Sequence, residues 1–151
     1  MEVNQLITVN DVRHAVSRAL DAAFPDVPIY GEEIKQGLDP PCFFVKLFPV
    51  VQERQQGRRY IRQHTFDIHF FPRGFETGRT ETANEDIHQL SDMLYDVMEY
   101  IDCNGMIRGS GLRHEVVDGV LHFFVSYDLH VLRQRPASSP MQAMDMEQEL
   151  K

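Results

Sequence analysis

Val116-Val117-Asp118-Gly119-Val120-Leu121 places an Asp-Gly pair between two runs that are rich in β-branched and aromatic residues. This arrangement is the strongest short-range signal for a β-hairpin that a sequence offers. It predicts a long hairpin over residues 106–133, with its turn at the Asp-Gly pair. A second long hairpin is predicted over residues 42–71, folding back around Gln55-Gln56-Gly57-Arg58. Two long ribbons therefore dominate the predicted fold and leave little chain for loops around a substrate.

A first helix is predicted ahead of these hairpins, over residues 8–24. Thr8 can serve as its N-cap, with Asp11 three residues later, and apolar side chains then recur at helical spacing. The apolar face of this helix is most simply part of the core. Residues 29–34 are predicted to form a short strand that leads into the first hairpin.

A second helix is predicted between the hairpins. It begins at Thr82 or Asn84 and runs to about Ile101, with apolar positions three and four residues apart. The predicted order is therefore helix, short strand, long hairpin, helix, long hairpin. We expect an α+β fold, with a mainly antiparallel sheet, two long β-hairpins and both helices packed on one face. The other face would be semi-polar and would meet solvent or a neighbouring copy.

Composition bounds the class of protein. With 151 residues, 42% of them hydrophobic and 25% charged, the chain is typical of one globular domain. We expect that domain over residues 1–134, followed by a flexible or partner-ordered C-terminal tail over residues 135–151. No apolar run approaches the roughly 20 residues of a membrane span, and the N-terminus does not resemble a signal peptide. Cys42 and Cys103 have no CxxC spacing and are expected to be reduced and buried.

Positive charge is concentrated in one place, the tip of the first hairpin, although the formal net charge is −8. That net charge argues against a surface that grips nucleic-acid phosphates. Four arginines bracket the tip of the first hairpin, where they are either simply solvated or contact an acidic partner. Two more flank Gly109-Ser110-Gly111, a predicted bulge or close backbone approach, and either solvate strand edges or form salt bridges across a subunit boundary. The candidate contact residues are Arg54, Arg58, Arg59, Arg62, Arg108 and Arg113.

Both predicted hairpins end in an Asp-x-His triplet, Asp67-Ile68-His69 and Asp128-Leu129-His130. Residues two apart on a strand share a face, so neighbouring strands could bring two imidazoles and two carboxylates together. That ligand set suits zinc or a non-haem metal. Nothing in the sequence establishes that those two strands are neighbours in the sheet. The simpler interpretation, which we favour, is a polar outer face of the sheet, and no metal ligand is assigned.

Other catalytic patterns are weaker still. Gly109-Ser110-Gly111-Leu112 lacks the remaining glycines of a phosphate-binding motif, and no Gly-x-Ser-x-Gly elbow occurs. Cys103 follows a predicted helix C-terminus, which is the wrong end of the helix dipole for lowering the pKa of a thiol. The sequence therefore predicts a protein that is not an enzyme and that has no catalytic residues or cofactors.

Four phrases carry a family resemblance: Tyr30-Gly31-Glu32-Glu33-Ile34-Lys35-Gln36-Gly37, Pro41-Cys42-Phe43-Phe44-Val45-Lys46-Leu47, Phe66-Asp67-Ile68-His69-Phe70-Phe71-Pro72 after Tyr60, and Arg108-Gly109-Ser110-Gly111-Leu112-Arg113-His114-Glu115 through Val117-Asp118-Gly119-Val120-Leu121-His122-Phe123. In these phrases the chain resembles the tail terminator-like family of phages and prophages of Gram-positive bacteria. Related particles include phage-tail-like bacteriocins. The resemblance covers most of residues 8–133 and none of the chain after Pro136. The family has no catalytic motif to carry over.

This resemblance implies a small α/β subunit that forms a hexameric ring and caps the growing tail tube. In contractile tails the ring also meets the last ring of the sheath, and in a complete phage it joins the tail to the head connector. DNA only passes through the lumen, and the acidic charge balance fits a lumen that repels DNA. We therefore expect a structural protein of the virion or phage-tail-like particle, assembled in the bacterial host cytoplasm without membrane contact.

Three alternatives stay open on the sequence alone. Another neck or head-completion protein would also form a small ring of similar fold. A metal-dependent hydrolase would instead use Asp67, His69, Asp128 and His130, and a stoichiometric metal lost on substitution of the two histidines would favour it. A dimeric α/β protein that binds a small molecule is the third alternative.

Overall fold

The computed structural model describes residues 7–32, 37–74 and 83–133, and it confirms the predicted α+β fold class. These ranges contain two helices and seven strands. The predicted tail over residues 135–151 and the predicted helix start at Thr82 lie outside the described residues. The elements are α1 Val9–Ala23, β1 Ile29–Tyr30, β2 Cys42–Leu47, β3 Val51–Gln56, β4 Arg59–Phe71, α2 Ala83–Glu99, β5 Tyr100–Asp102, β6 Met106–Val117 and β7 Val120–Leu132.

The strands form one sheet in the order β1-β2-β4-β7-β6-β5, with β3 pairing on β4 beyond the end of β2. The pairing of β1 with β2 is parallel, and the other pairings are antiparallel. The longest ladder joins β4 to β7, from Arg59 opposite Leu132 to Phe70 opposite Leu121. These two strands therefore form the centre of the sheet.

Both predicted hairpins are present. The second turns at Asp118 and Gly119, whose φ angles of 52° and 79° are those of a two-residue type I′ turn. The first turns between β3 and β4, where Gly57 has a φ of 60°. Its leading half is divided into β2 and β3 around Pro49, which has no N–H to give to a ladder. The turn residues and the proline thus explain where each ribbon folds back or breaks.

The predicted capping of α1 is also confirmed. The hydroxyl of Thr8 accepts a hydrogen bond from the backbone N–H of Asp11 at 3.0 Å, and the N–H of Thr8 donates to the Asp11 carboxylate at 3.0 Å. This reciprocal pair satisfies two N–H groups that the first turn would otherwise leave open. The helix buries Val12, Val16 and Leu20 completely, so its apolar face belongs to the core, as predicted.

The predicted end of α2 is wrong. The helix stops at Glu99, and the next three residues form β5, which pairs with β6 through Ile101 opposite Ile107. Ile101 is 1% exposed in this strand, so the apolar position that suggested another helical turn is buried without continuing the helix. Asn104 and Gly105, with φ angles of 59° and 118°, then make the turn into β6. The short strand predicted over residues 29–34 is limited to Ile29–Tyr30 within the described residues.

The core lies between the two helices and one face of the sheet. Alternate residues of each strand point to the same side of the sheet. On the side that faces the helices, many of these residues are aromatic. Its sheet-derived residues include Phe43, Phe66, Ile68, Leu121, Phe123, Val125 and Tyr127. The opposite face of β2, β4, β7 and β6, called the outer face below, carries the intervening residues of these strands.

Gly109 shows why the glycines of β6 matter. A Cβ atom at this position would lie 2.8 Å from the carbonyl oxygen of Met98 and 2.7 Å from a methyl group of Val125. The register of β6 against β7 then shifts between Ser110 and Arg113. Both parts of the sequence prediction, a bulge and a close backbone approach, are confirmed. The missing side chain lets the last turn of α2 lie directly against the sheet.

Candidate functional site

One candidate surface is a three-stranded projection that we call the hairpin arm. It consists of β3 together with residues 59–63 of β4 and 128–132 of β7. All six residues of β3 are exposed. Within the described residues β3 pairs with β4 alone, and β6 follows β7 no further than Gly109 opposite Tyr127. Among the described residues the arm therefore has two unpaired edges, whose N–H and C=O groups are available to another strand.

The four tip arginines all lie on the hairpin arm or at its turn. Arg54 donates from Nε to the carbonyl oxygen of Gly57 at 2.9 Å, which braces the turn. Arg62 donates from Nε to Oε1 of Gln52 across the β3–β4 ladder, also at 2.9 Å. The side chains of Arg58 and Arg59 are exposed. The structure thus brings these four predicted residues into one region, and their role as contacts stays a prediction.

The two remaining candidate arginines have different neighbours. Arg108 lies 3.9 Å from the carboxylate of Glu99, and both side chains are largely exposed. An ion pair with that exposure contributes little to stability. Arg113 lies 4.0 Å above the ring of Phe124 on the outer face, a cation–π contact. They flank the bulge as predicted, but Arg108 contacts the end of α2 whereas Arg113 covers an aromatic side chain of the sheet.

A compact group of ligating side chains lies on the outer face, and we call it the Asp-His cluster: Asp67, His69 and His122. Nε2 of His69 lies 2.9 Å from Oδ2 of Asp67, and Nδ1 of His122 lies 3.2 Å from the same oxygen. The two imidazole rings are 4.4 Å apart between centroids. The side chain of Asp67 is 9% exposed, so this carboxylate is nearly enclosed by its neighbours.

The four-residue metal site considered from the sequence is not formed. The strands β4 and β7 are neighbours, but their antiparallel register places Asp128 opposite Gln63 and His130 opposite Ile61. His122 takes the position opposite His69 instead. His122 was not among the four candidate ligands, because the repeated triplet drew attention to the wrong end of the strand. The register, which a single sequence does not reveal, decides which histidine completes the cluster.

The charge of Asp67 is set by two opposing effects. Burial alone raises the pKa of a carboxyl group, because it disfavours the charged form. The contacts from His69 and His122 outweigh burial and hold the pKa of Asp67 below its ordinary value. The carboxylate is therefore ionised across the physiological range and presents a negative charge to both imidazoles.

Aromatic side chains pack around this cluster. The ring of Phe44 lies 5.4 Å from that of His69, and the ring of Phe124 is stacked on that of His122 at 6.3 Å. Phe48 in turn stacks on Phe124 at 6.2 Å. The outer face is thus partly apolar around a polar centre, which restrains the imidazole rings and limits access of water.

Comparison with known proteins gives a decisive match. A family model described as phage tail terminator protein matches residues 11–139. The chain belongs to the phage tail terminator family. No curated protein sequence gives a significant match. One solved structure without a functional description aligns with 87% of this chain and 99% of its own length, at 16% identity and a TM-score of 0.46, and a likeness of that size supports no conclusion.

Membership of the phage tail terminator family places the protein in the tail of a virion and makes it a structural protein that associates with other tail proteins. The match covers both hairpins, the hairpin arm and the Asp-His cluster. The described part of this terminator contains no helix that is long and apolar enough to cross a membrane. The restriction to phages of Gram-positive bacteria stays a prediction.

A second polar group in this tail terminator joins α2 to β6. Nδ1 of His114 lies 2.8 Å from the hydroxyl of Tyr95, and Nε2 lies 3.4 Å from the hydroxyl of Ser91. A serine beside a histidine could suggest a nucleophile, but Ser91 is fully buried and its hydroxyl donates to the carbonyl oxygen of His88 at 2.6 Å. A hydroxyl held in that way cannot meet a substrate, so these residues anchor the helix to the sheet.

His64 is the remaining buried ionisable group of interest. Its Nδ1 lies 3.1 Å from the carbonyl oxygen of Tyr127, so this nitrogen carries the proton and donates it. Nε2 has no hydrogen-bond partner among the described residues. Burial is the main reason that the pKa of His64 is lowered from its ordinary value. This imidazole is therefore neutral in the folded tail terminator.

Proposed function

We propose that this tail terminator acts as a hexameric ring that caps the tail tube and ends its polymerisation. The family match supports the role in the tail, and the hairpin arm supports the mode of assembly. Two unpaired strand edges on one projection suit head-to-tail contacts, because a heterologous contact closes into a ring when its rotation fits. In the ring each arm meets the adjacent subunit.

The ring joins the tail to the head or collar, and in a contractile tail it also meets the sheath. The net charge of −8 supports a lumen through which DNA passes without being held. Assembly takes place in the cytoplasm of the bacterial host. In this proposal the arm arginines Arg54, Arg58, Arg59 and Arg62 contact the neighbouring subunit or the tube, and Arg108 and Arg113 form a second contact near the bulge.

The test is charge reversal at the arm. Replacing the four arm arginines with Glu is expected to give tails of abnormal length or terminators detached from tails, because reversed charges repel an acidic partner. The matched control replaces the same four residues with Lys, which keeps the charge and is expected to give nearly normal particles. Tail lengths and bound terminator are measured by electron microscopy of purified particles.

Normal tails from the Glu variant would contradict the role of the arm. Imaging of the head-proximal end then tests the ring itself, since six copies at the end of the tube are expected. Copies located only between connector and capsid would favour a neck or head-completion role instead. A monomer in free solution is compatible with a ring that forms on the tail, so the measurement is made on particles.

A further inference from the structure

The Asp-His cluster has the composition of a metal centre rather than of an ordinary polar patch. It combines two imidazoles and one ionised carboxylate, the ligand set of open zinc sites and of two-histidine, one-carboxylate iron sites. The cluster lies away from the hairpin arm, in the central ladder of β4 and β7. The structural role in the tail does not account for it.

The distances among the three side chains fit one shared ion. Donor atoms bound to tetrahedral zinc lie about 3.3 Å from one another, given metal–ligand bonds near 2.0 Å. Here the two imidazole nitrogens lie 2.9 Å and 3.2 Å from Oδ2 of Asp67, and all three ligand atoms lie within 4.8 Å of one another. Small side-chain adjustments would place one ion within bonding distance of each.

Hydrogen bonding alone accounts poorly for this arrangement. Nε2 of His69 is buried and close to the carboxylate, but it is not aligned as a hydrogen bond. Nδ1 of His122 lies almost equally far from both oxygens of Asp67, at 3.3 Å and 3.2 Å, which is long for a bond to a charged acceptor. A buried nitrogen without an aligned partner is costly, and a metal ion would satisfy it.

The supporting structure holds the ligands in place. His69 and His122 are directly opposite each other in the longest ladder of the sheet, and Asp67 is two residues from His69 on the same face. Phe44 and Phe124 pack against the two imidazole rings. Ligands on rigid strands with packed rings lose little freedom when an ion binds.

The charged surroundings are compatible with a cation. The charged groups that act on Asp67 are the two histidines themselves. Lys46 is opposite Asp67 on β2, but its side chain is exposed and its Nζ atom lies 6.0 Å from the ring of Phe48. Arg113 is directed over Phe124. Both cations thus lie over aromatic rings.

We propose that Asp67, His69 and His122 bind one divalent transition-metal ion, Zn²⁺, through Oδ2, Nε2 and Nδ1 respectively. The ion links the two central strands on the outer face. Three protein ligands leave a fourth position open, to be filled by water or by a group from a second protein. This inference does not depend on the ring or on the role of the hairpin arm.

The test measures zinc binding by the isolated protein. Untagged full-length protein is stripped with a chelator, and Zn²⁺ is then titrated by calorimetry with the metal content checked by mass spectrometry. One Zn²⁺ per chain is expected. His69→Ala and His122→Ala are each expected to weaken binding by roughly 100-fold or more, since even loss of a residue that only supports a ligand costs 10- to 100-fold.

His130→Ala is the matched control, because His130 is an exposed histidine on the same strand as His122. It is expected to bind Zn²⁺ as the unmodified protein does. Binding of Co²⁺ gives a second measurement, because its visible absorption reports nitrogen and oxygen ligation directly. Asp67→Asn, which nearly preserves shape, is expected to reduce that absorption while circular dichroism confirms that the variant is folded.

Two results would overturn the proposal. Absence of stoichiometric Zn²⁺ binding by the unmodified protein would show that the cluster is a hydrogen-bonded group only. Equal losses in the His122→Ala and His130→Ala variants would show binding by scattered surface histidines. Neither result bears on tail length, so failure of the metal site and failure of the ring are distinguishable.

Discussion

The strands β4 and β7 have two ends with opposite environments. At the centre of the sheet Phe66 is opposite Val125, and these residues are 0% and 1% exposed. In the hairpin arm Arg59 is opposite Leu132, and Leu132 is 61% exposed. One continuous ladder therefore runs from the buried core to a more exposed end, although Val131 in the arm is also buried.

The largest effect on stability is expected from truncating a side chain in the buried part of this ladder. Phe66→Ala removes a fully buried ring beside Tyr127 and leaves a cavity, which should lower the free energy of unfolding by about 3–5 kcal/mol. Leu132→Ala in the arm is the matched control and should change it by no more than about 0.5 kcal/mol. Urea unfolding followed by circular dichroism measures both. Similar losses in the two variants would mean that the arm is part of the folding core.

A smaller effect is expected where α2 meets the sheet. Gly109→Ala would place a methyl group against the Met98 carbonyl and Val125, so the helix or the strand must shift. Overpacking of this kind costs about 1–3 kcal/mol. Ser110→Ala, at the next and exposed position, should cost far less. Thermal unfolding of both variants checks the difference, and equal melting temperatures would contradict the close approach.

The smallest effect on stability is expected at the boundary between the buried part of the ladder and the hairpin arm. His64 is opposite Tyr127, and the arm begins at the next residue pair. Because the pKa of His64 is lowered by folding, the unfolded chain takes up a proton as pH falls below about 6.5, whereas the folded chain does so only at lower pH. Stability is therefore unaffected above that pH and decreases below it, by at most about 1.4 kcal/mol per pH unit.

His64→Gln should remove this contribution to the pH dependence. The measurement is the free energy of unfolding at several pH values between neutrality and pH 5, compared with that of the unmodified protein. His130→Gln provides the control, since His130 is exposed in the arm and should leave the slope unchanged. If stability depended on pH just as strongly in His64→Gln, the group responsible would not be His64, and the boundary of the buried region would lie elsewhere.

Much of the fold could be predicted because its signals are local. The Asp118-Gly119 turn, the capping pair of Thr8 and Asp11, and the bulge between Ser110 and Arg113 each depend on residues within a few positions of one another. The helix end was not predictable in that way, because the helical spacing of apolar residues extends to Ile101, which is buried in a strand instead. Local patterns therefore give the elements more reliably than their ends.

The Asp-His cluster required information that one sequence lacks. His69 and His122 are 53 positions apart and meet only through the register of β4 against β7. A shift of that register by two residues would keep every side chain on its face and yet bring other residues opposite His69. Face could thus be predicted from alternation, whereas the identity of the cross-strand neighbour could not.

The unbroken ladder from the centre into the arm also determines how the subunit carries load. Its hydrogen bonds lie perpendicular to the strands, so a force that pulls β4 along its axis against β7 loads many of them at once in shear. A force across the strands would instead break these hydrogen bonds one pair at a time. We therefore expect this ladder to resist force along the strands better than force across them.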